Sequence, residues 1–259
     1  MRQPARDILS HSFGAALLAG IAVLACSSSK TKQPVETTKE SGKSVSPSGV
    51  SADRRGTTLI RLVNALPGKQ HVDVAADTRV LFSDVGYQDV TDFQELRDNV
   101  TRFSVRPAGK DTALAENREV MGDGARYTLV ALPDDKGGVV LRVLRDELVT
   151  DPAKTKIRVI NGTAAKEDFK VTVQGQKDPL FDKVSPGVEA GYKEIEPTTA
   201  TLLFEPNAGK GGAIRIDHMK LDAGRAYTVV LTGTAGHKPE AVKFDDRLVR
   251  AGNQVSLRP

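Results

Sequence analysis

The groups that could do chemistry in this 259-residue chain are few, and they do not converge. His71, His218 and His237 stand at no ligand spacing to one another, whereas a structural zinc site draws its ligands from closely spaced pairs. His71 shares a strand face with Asp73, and Asp217 with Met219, but one pair is not a site. The acidic pairs Asp134-Asp135 and Asp245-Asp246 lack the alternating oxygen ligands of a calcium loop. No Gly-x-Ser-x-Gly elbow presents a nucleophilic serine. Ala108-Gly109-Lys110 and Ala208-Gly209-Lys210 begin like phosphate loops, but Asp111 and Gly211 stand where Ser or Thr must follow. Four carboxylates, Asp84, Asp89, Asp92 and Glu95, gather in one segment. Two of them about 5–10 Å apart would suit glycoside hydrolysis, although loop carboxylates are ordinarily solvated. The expectation is no catalytic residue, no metal and no cofactor.

One thiol is left, and its surroundings explain it. Arg2 and Arg6 precede an apolar run from Phe13 to Ala25, the charged and apolar regions of a secretory signal. The run is too short to span a bilayer comfortably as a permanent helix. It ends Val23-Leu24-Ala25-Cys26, which resembles a bacterial lipobox. There the cysteine takes a diacylglycerol and the signal, residues 1–25, is cut away before it. A lone cysteine in an exported chain has no disulfide partner, and several acyl chains together anchor stably. Ser27 follows, with no aspartate to suggest inner-membrane retention, so an outer-membrane anchor through acylated Cys26 is expected. From there to residue 56 the chain is rich in Ser, Thr, Lys, Gly and Pro. Such a composition buries too little to offset its ordering entropy. A disordered tether is expected over 26–56, spanning roughly 30 Å as a coil and about 100 Å stretched.

Beyond the tether the chain repeats itself. Ile60-Arg61-Leu62-Val63-Asn64 is answered 97 positions later by Ile157-Arg158-Val159-Ile160-Asn161. Leu81-Phe82 returns as Leu180-Phe181 after 99, and Ala125-Arg126-Tyr127-Thr128 as Arg225-Ala226-Tyr227-Thr228 after 100. Two copies are too few for a solenoid, so two domains are expected, at 57–152 and 153–259. Each reads as short strand after short strand. Residues 58–64, 157–161 and 169–173 alternate apolar with polar, as strands with one buried face do. Residues 129–132, 139–144 and 229–231 are denser apolar runs, suited to central strands. Turns such as Asp134-Asp135-Lys136-Gly137-Gly138 separate them. The mixed periodicity of 79–97 leaves room for one short helix. The fold class expected is all-β, two tandem sandwiches of immunoglobulin or transthyretin type. Tyr127 and Tyr227 each follow a turn and open a strong strand. Their rings are expected in the core, with hydroxyls returned to turn backbone.

The Ile-Arg-Leu-Val-Asn-Ala opening at 60–65, Val72-Asp73-Val74 and the Gly-x-x-Tyr-Thr-x-Val strand resemble the bacterial domain-of-unknown-function family 4397. That resemblance implies exported β-sandwich domains, often in tandem and on lipoproteins, and it covers most of 57–250. The second copy has Val171-Thr172-Val173 in place of the aspartate-bearing triplet. Through 157–161, Val184-Ser185-Pro186 and the Tyr227 strand, the second copy is also distantly similar to the periplasmic adaptor of alginate O-acetylation. What that similarity implies is action through protein and polysaccharide contacts. Neither resemblance supplies a catalytic residue.

Charge and composition narrow the partner. Basic residues number 37 and acidic 33, mixed along the chain with no basic block interleaved with aromatics, which excludes a nucleic-acid groove. Tryptophan is absent and aromatics make up 5%, so a stacking platform has few candidates. The expected function is a non-catalytic binding or scaffold module for an envelope protein or polysaccharide. A purely structural envelope component is the alternative, followed by a polysaccharide-modifying enzyme using the loop carboxylates. Within 83–98, Tyr87 and Phe93 are the expected contact anchors.

Overall fold

A computed structural model describes residues 57–247, save 69–70, 99, 148, 165–166, 209–212 and 234–238. The expected signal, Cys26 and tether lie outside the described residues. Within them the chain forms strands and no helix. The first repeat contributes β1 (Thr58–Asn64), β2 (Val72–Ala76), β3 (Arg79–Val85), β4 (Gln94–Leu96), β5 (Val100–Pro107), β6 (Ala115–Val120), β7 (Arg126–Pro133) and β8 (Val139–Arg145). The second contributes β9 (Thr155–Thr163), β10 (Phe169–Val173), β11 (Phe181–Val184), β12 (Glu189–Ile195), β13 (Thr198–Pro206), β14 (Ile214–Leu221), β15 (Arg225–Gly233) and β16 (Glu240–Arg247). Residues 79–97, with room for a short helix by pattern, are β3, a loop and β4. Pairing of Val80 and Phe82 with β2, and of Gln94 to Leu96 with β1, overrides the weak local periodicity.

Each repeat folds as two four-stranded sheets, and strand order is the same in both. The first has β4-β1-β7-β8 over β3-β2-β5-β6, and the second β12-β9-β15-β16 over β11-β10-β13-β14. The expected pair of β-sandwiches is the fold observed. Ile60, Leu62, Tyr127 and Leu129 meet Val74, Phe82, Phe103 and Val105 in one core. Ile157, Val159, Tyr227 and Val229 meet Phe169, Val171, Leu202 and Phe204 in the other. The repeated asparagines hold equivalent joints. Asn64 Nδ2 donates to the Val85 carbonyl at 2.9 Å, and Asn161 Nδ2 to that of Val184 at 3.1 Å.

A third core joins the sandwiches. Val63, Val130 and Leu132 from the first pack against Ile160, Val230 and Val242 from the second. The sheets therefore stack four deep, and the β1 and β9 sheets are covered on both faces. This departs from the one-buried-face reading of 58–64 and 157–161: both strands bury residues on both faces. The pairing agrees, since β1 runs parallel to β7 and β9 parallel to β15, and parallel strands are characteristically covered on both sides. Residues 139–144 form an edge strand, β8, rather than a central one. Their apolar density reflects the second sandwich lying over them.

The arginines of the repeated motif point into this joint. Arg61 is 3% exposed and Arg158 fully buried. Arg61 Nε donates to Thr128 Oγ1 at 2.9 Å, and Arg158 Nε to Thr228 Oγ1 at the same distance. Asp146, just past β8, lies between them. Its carboxylate accepts from Thr128 Oγ1 at 2.8 and 2.9 Å, from Arg61 Nη2 at 3.5 Å and from Arg158 Nη2. Aromatic faces complete the enclosure: Phe93 and Phe244 lie 4.7 and 4.4 Å from the Arg61 guanidinium, and Tyr192 4.7 Å from that of Arg158. Burial works against the Arg158 charge, but Asp146, Tyr192 and Glu189 outweigh it and hold the guanidinium above its usual range.

Removing one member of such a cluster strands a buried charge, at about 3–5 kcal/mol. Asp146→Ala is therefore expected to lower unfolding stability by about that much, read by urea denaturation. An effect no larger than an exposed Asp→Ala would contradict the buried placement. Glu189 gives a pH signature. Burial lifts its carboxyl above the ordinary range against the pull of Arg158. Its contribution is complete below the unfolded carboxyl's pKa and falls as pH rises through the higher folded value. Glu189→Gln is thus expected to gain thermal stability relative to the parent at neutral pH, with the gain vanishing in mild acid.

Candidate functional site

Some residues singled out by sequence are brought together, such as His71 with Asp84, and others stand in separate cores. Tyr127 and Tyr227 put their rings in the two cores. Each hydroxyl accepts from turn backbone, from Gly122 N–H at 3.1 Å and Asp222 N–H at 2.8 Å. Burial raises the Tyr227 phenol above its usual value, which keeps it a neutral hydrogen-bonding group. Tyr87 and Phe93, the expected contact anchors, both have partners inside the molecule. The Tyr87 hydroxyl donates to Glu240 of the second sandwich at 2.8 Å, and Gln88 Nε2 donates to the same carboxylate oxygen at 2.6 Å. Phe93 lies under the guanidinium groups of Arg61 and Arg126. The loop between β3 and β4 thus clips one sandwich to the other.

The loop carboxylates take different settings. Asp84 Oδ1 is 2.8 Å from His71 Nδ1, at an exposed position. Asp89 accepts from Gly86 N–H at 3.0 Å, closing its own turn. Asp92 is an exposed loop residue and Glu95 an exposed β4 residue paired with Leu59. Asp73 accepts from the backbone of Asp84 and of Gly109, each at 2.8 Å. That explains the aspartate of Val72-Asp73-Val74: it ties two neighbouring turns together. Gly109, at a φ of 70°, fits the tight turn between β5 and β6, so Ala108-Gly109-Lys110 is a hairpin. His237 and the Ala208-Gly209-Lys210 turn past residue 208 lie outside the described residues. Among the described residues no group of three potential ligands could hold a metal.

An opening that the sequence did not suggest lies in the second sandwich. In the first, the edge strands β6 and β8 meet, with Asn117 Nδ2 donating to the Leu141 carbonyl at 3.0 Å. Their counterparts β14 and β16 part, leaving a groove of about 740 Å³ lined by Ile214, Arg215, Asp217, Glu240 and Lys243 among others. Both strands end their sheets, so both turn outer backbone edges towards this side. Burial of Ile214 and Ile216 makes an apolar floor, and the charged side chains stand at the rim. The Arg215 guanidinium bonds Asp217 at 2.9 Å, and Asp217 also accepts from Thr201 Oγ1 at 3.0 Å. These bonds hold the Asp217 carboxyl below the ordinary range, the threonine contributing most. Among the groove's described lining residues no nucleophile stands beside a base.

Several comparisons bear on kinship. The family model described as "Domain of unknown function (DUF4397)" matches residues 58–172 and again 155–258. No curated protein matches the chain. A solved "putative cell adhesion protein" from Bacteroides uniformis ATCC 8492 is 11% identical over 74% of this chain and 98% of its own, with a TM-score of 0.28. Another so described, from Bacteroides eggerthii DSM 20697, is 10% identical over 74% and 95%, at 0.23. The CBM26-family module CBMbc of Eubacterium rectale Amy13K, solved with maltoheptaose, is 12% identical over 71% and 95%, at 0.21. Superpositions this loose carry no argument about function. The family match supports the first of the two resemblances seen in sequence and does not extend to the alginate adaptor. By two successive matches over most of its length, the chain belongs to the DUF4397 family and carries that domain in tandem.

Proposed function

We propose that the protein is an envelope lipoprotein whose two sandwiches form a non-catalytic binding or scaffold module for an envelope protein or polysaccharide. In this reading residues 1–25 export the chain, acylated Cys26 holds it on the outer membrane, and residues 26–56 space the sandwiches from the bilayer. The observation that carries the binding role is the parted edge of the second sandwich. Two strands that, among the described residues, end their sheets face a groove that the first sandwich, built on the same strand order, keeps closed. An extended chain can add to such an edge through main-chain hydrogen bonds, with side chains read by flanking pockets. Charged rims of this kind also blunt indiscriminate edge-to-edge pairing, which favours one partner over many. Tyr87 takes the role of fastening the two sandwiches and Phe93 that of covering Arg61 beside the joint, and the partner surface moves to β14 and β16.

A photo-crosslinking residue at Arg215 or Lys243, introduced in intact cells, is expected to trap a discrete neighbour. The same residue at Lys183, away from the groove, is expected to trap none. Identical diffuse labelling from all three positions would support the purely structural alternative instead. The anchor has its own test: Cys26→Ser is expected to abolish palmitate incorporation and release the protein from the membrane fraction. Persistent labelling in that variant would remove the lipoprotein reading.

A further inference from the structure

The outer face of the β2–β5–β6 sheet differs from its counterpart in the second repeat in a way that folding alone does not demand. Side chains alternate across β5 and β6: Thr101, Phe103 and Val105 turn inward, and Val100, Arg102 and Ser104 turn outward, with Val120, Arg118 and Glu116 across from them. The register places Arg102 directly across from Arg118 and Val100 directly across from Val120. Like charges directly opposite one another destabilise a sheet. Arg106 stands four residues along β5 from Arg102, across from Asp73, whose carboxylate is already taken by two backbone donors. Arg106 Nε reaches only Ser104 Oγ, at 3.2 Å. Among the described residues none of these three guanidinium groups lies in an ion pair. Three exposed valines stand on the same sheet, Val80, Val100 and Val120, at 50%, 47% and 68% exposure.

The equivalent sheet of the second sandwich is neutralised. Lys170 pairs with Glu205 at 3.2 Å, Lys183 with Asp168 at 3.1 Å, Arg215 with Asp217 at 2.9 Å and Lys220 with Asp222 at 3.1 Å. Two copies of one domain have thus diverged at the same face, one to internal ion pairs and the other, among the described residues, to three arginines outside any ion pair, set among aliphatic side chains and the carboxylate of Glu116. Arginine forks match phosphate oxygens bidentately. The face is the open side of a four-stranded sheet, which suits an extended partner better than a small molecule. Its exposed large apolar residues are aliphatic, leaving no aromatic ring on which a sugar could stack.

We propose that this face, centred on Arg102, Arg106 and Arg118, docks the first sandwich onto an anionic phospholipid surface. The stacking order adds a geometric reason. The arginine face closes one end of the four-sheet stack and the β10–β14 sheet closes the other, so docking directs the second sandwich away from the bilayer. Each arginine near an anionic surface strengthens binding by roughly fivefold, and the attraction fades within a Debye length. Three give about a hundredfold, weak for a free protein. It is sufficient for a module whose tether keeps it at high local concentration. The proposal builds on the envelope reading but fails separately from it, because vesicle binding is measured without the acyl group.

The test uses the mature chain from residue 26 onward carrying Cys26→Ser, without the apolar signal, sedimented with vesicles of equal parts phosphatidylglycerol and phosphatidylcholine, and with phosphatidylcholine alone. Binding is expected to favour the anionic vesicles, to weaken with added salt, and to fall about a hundredfold in Arg102→Gln/Arg106→Gln/Arg118→Gln. A Lys170→Gln/Lys183→Gln variant on the opposite sheet is expected to bind as the parent does. All the substituted side chains are exposed or half-buried, and an unchanged thermal unfolding midpoint confirms that the variants fold. Equal binding to both vesicle types, or undiminished anionic binding by the triple variant, would overturn the proposal. So would retention by a soluble carboxylated glycan with no vesicle binding, which would reassign the face to a polysaccharide.

Discussion

Asp146 sits with no exposed side-chain surface between two buried arginines, one from each sandwich, and much of the architecture follows from keeping it there. A carboxylate and two guanidinium groups taken out of water cost several kcal/mol per ion unless each finds partners. Thr128, Thr228, Glu189 and three aromatic faces supply them. Such a cluster adds little net stability compared with apolar packing, but it tolerates no slippage. A one-residue shift of β1 or β9 would turn the arginine into a sandwich core. The apolar joint around Val63, Val130, Ile160 and Val230 brings the sandwiches together, and the cluster specifies the register in which they meet.

This constraint makes the repeats complementary as well as similar. Arg61–Thr128 and Arg158–Thr228 are the same interaction in two copies, set face to face. With their inner sheets committed to each other, the copies keep only outer sheets and edges for other purposes, and there they have diverged. The first closes its β6–β8 edge and exposes unpaired arginines. The second neutralises its outer sheet and opens its β14–β16 edge. A duplicated domain whose joint is fixed can vary its free surfaces independently, and the two proposals divide along that line.

Much of the fold was legible because β structure writes itself locally. Short alternating runs, Gly-rich turns and the repeat spacing gave strand positions, and a tyrosine opening a strong strand after a turn gave the hydroxyl-to-backbone bonds. The joint was not legible, for a physical reason. An arginine flanked by apolar residues in a strand has the same pattern whether its face meets water or a second sheet. Only the partner decides, and Asp146 lies 85 residues from Arg61. One signal was present: an arginine at the centre of the opening strand in both copies, with a threonine in both facing strands. The aromatic residues Tyr87 and Phe93 stood out among acidic neighbours, but Glu240 and Arg126, which engage them, are distant in sequence. The groove depends on how far two edges separate, which no residue pattern records.

The joint makes the two sandwiches one cooperative body, and native-state hydrogen exchange tests that most directly. The amides of β1, β7, β9 and β15 should all exchange through a single global opening, with the same free energy and denaturant dependence. If β9 and β15 exchanged through a separate, cheaper opening while β1 and β7 stayed protected, the sandwiches would be independent beads. Their buried joint would then not couple them.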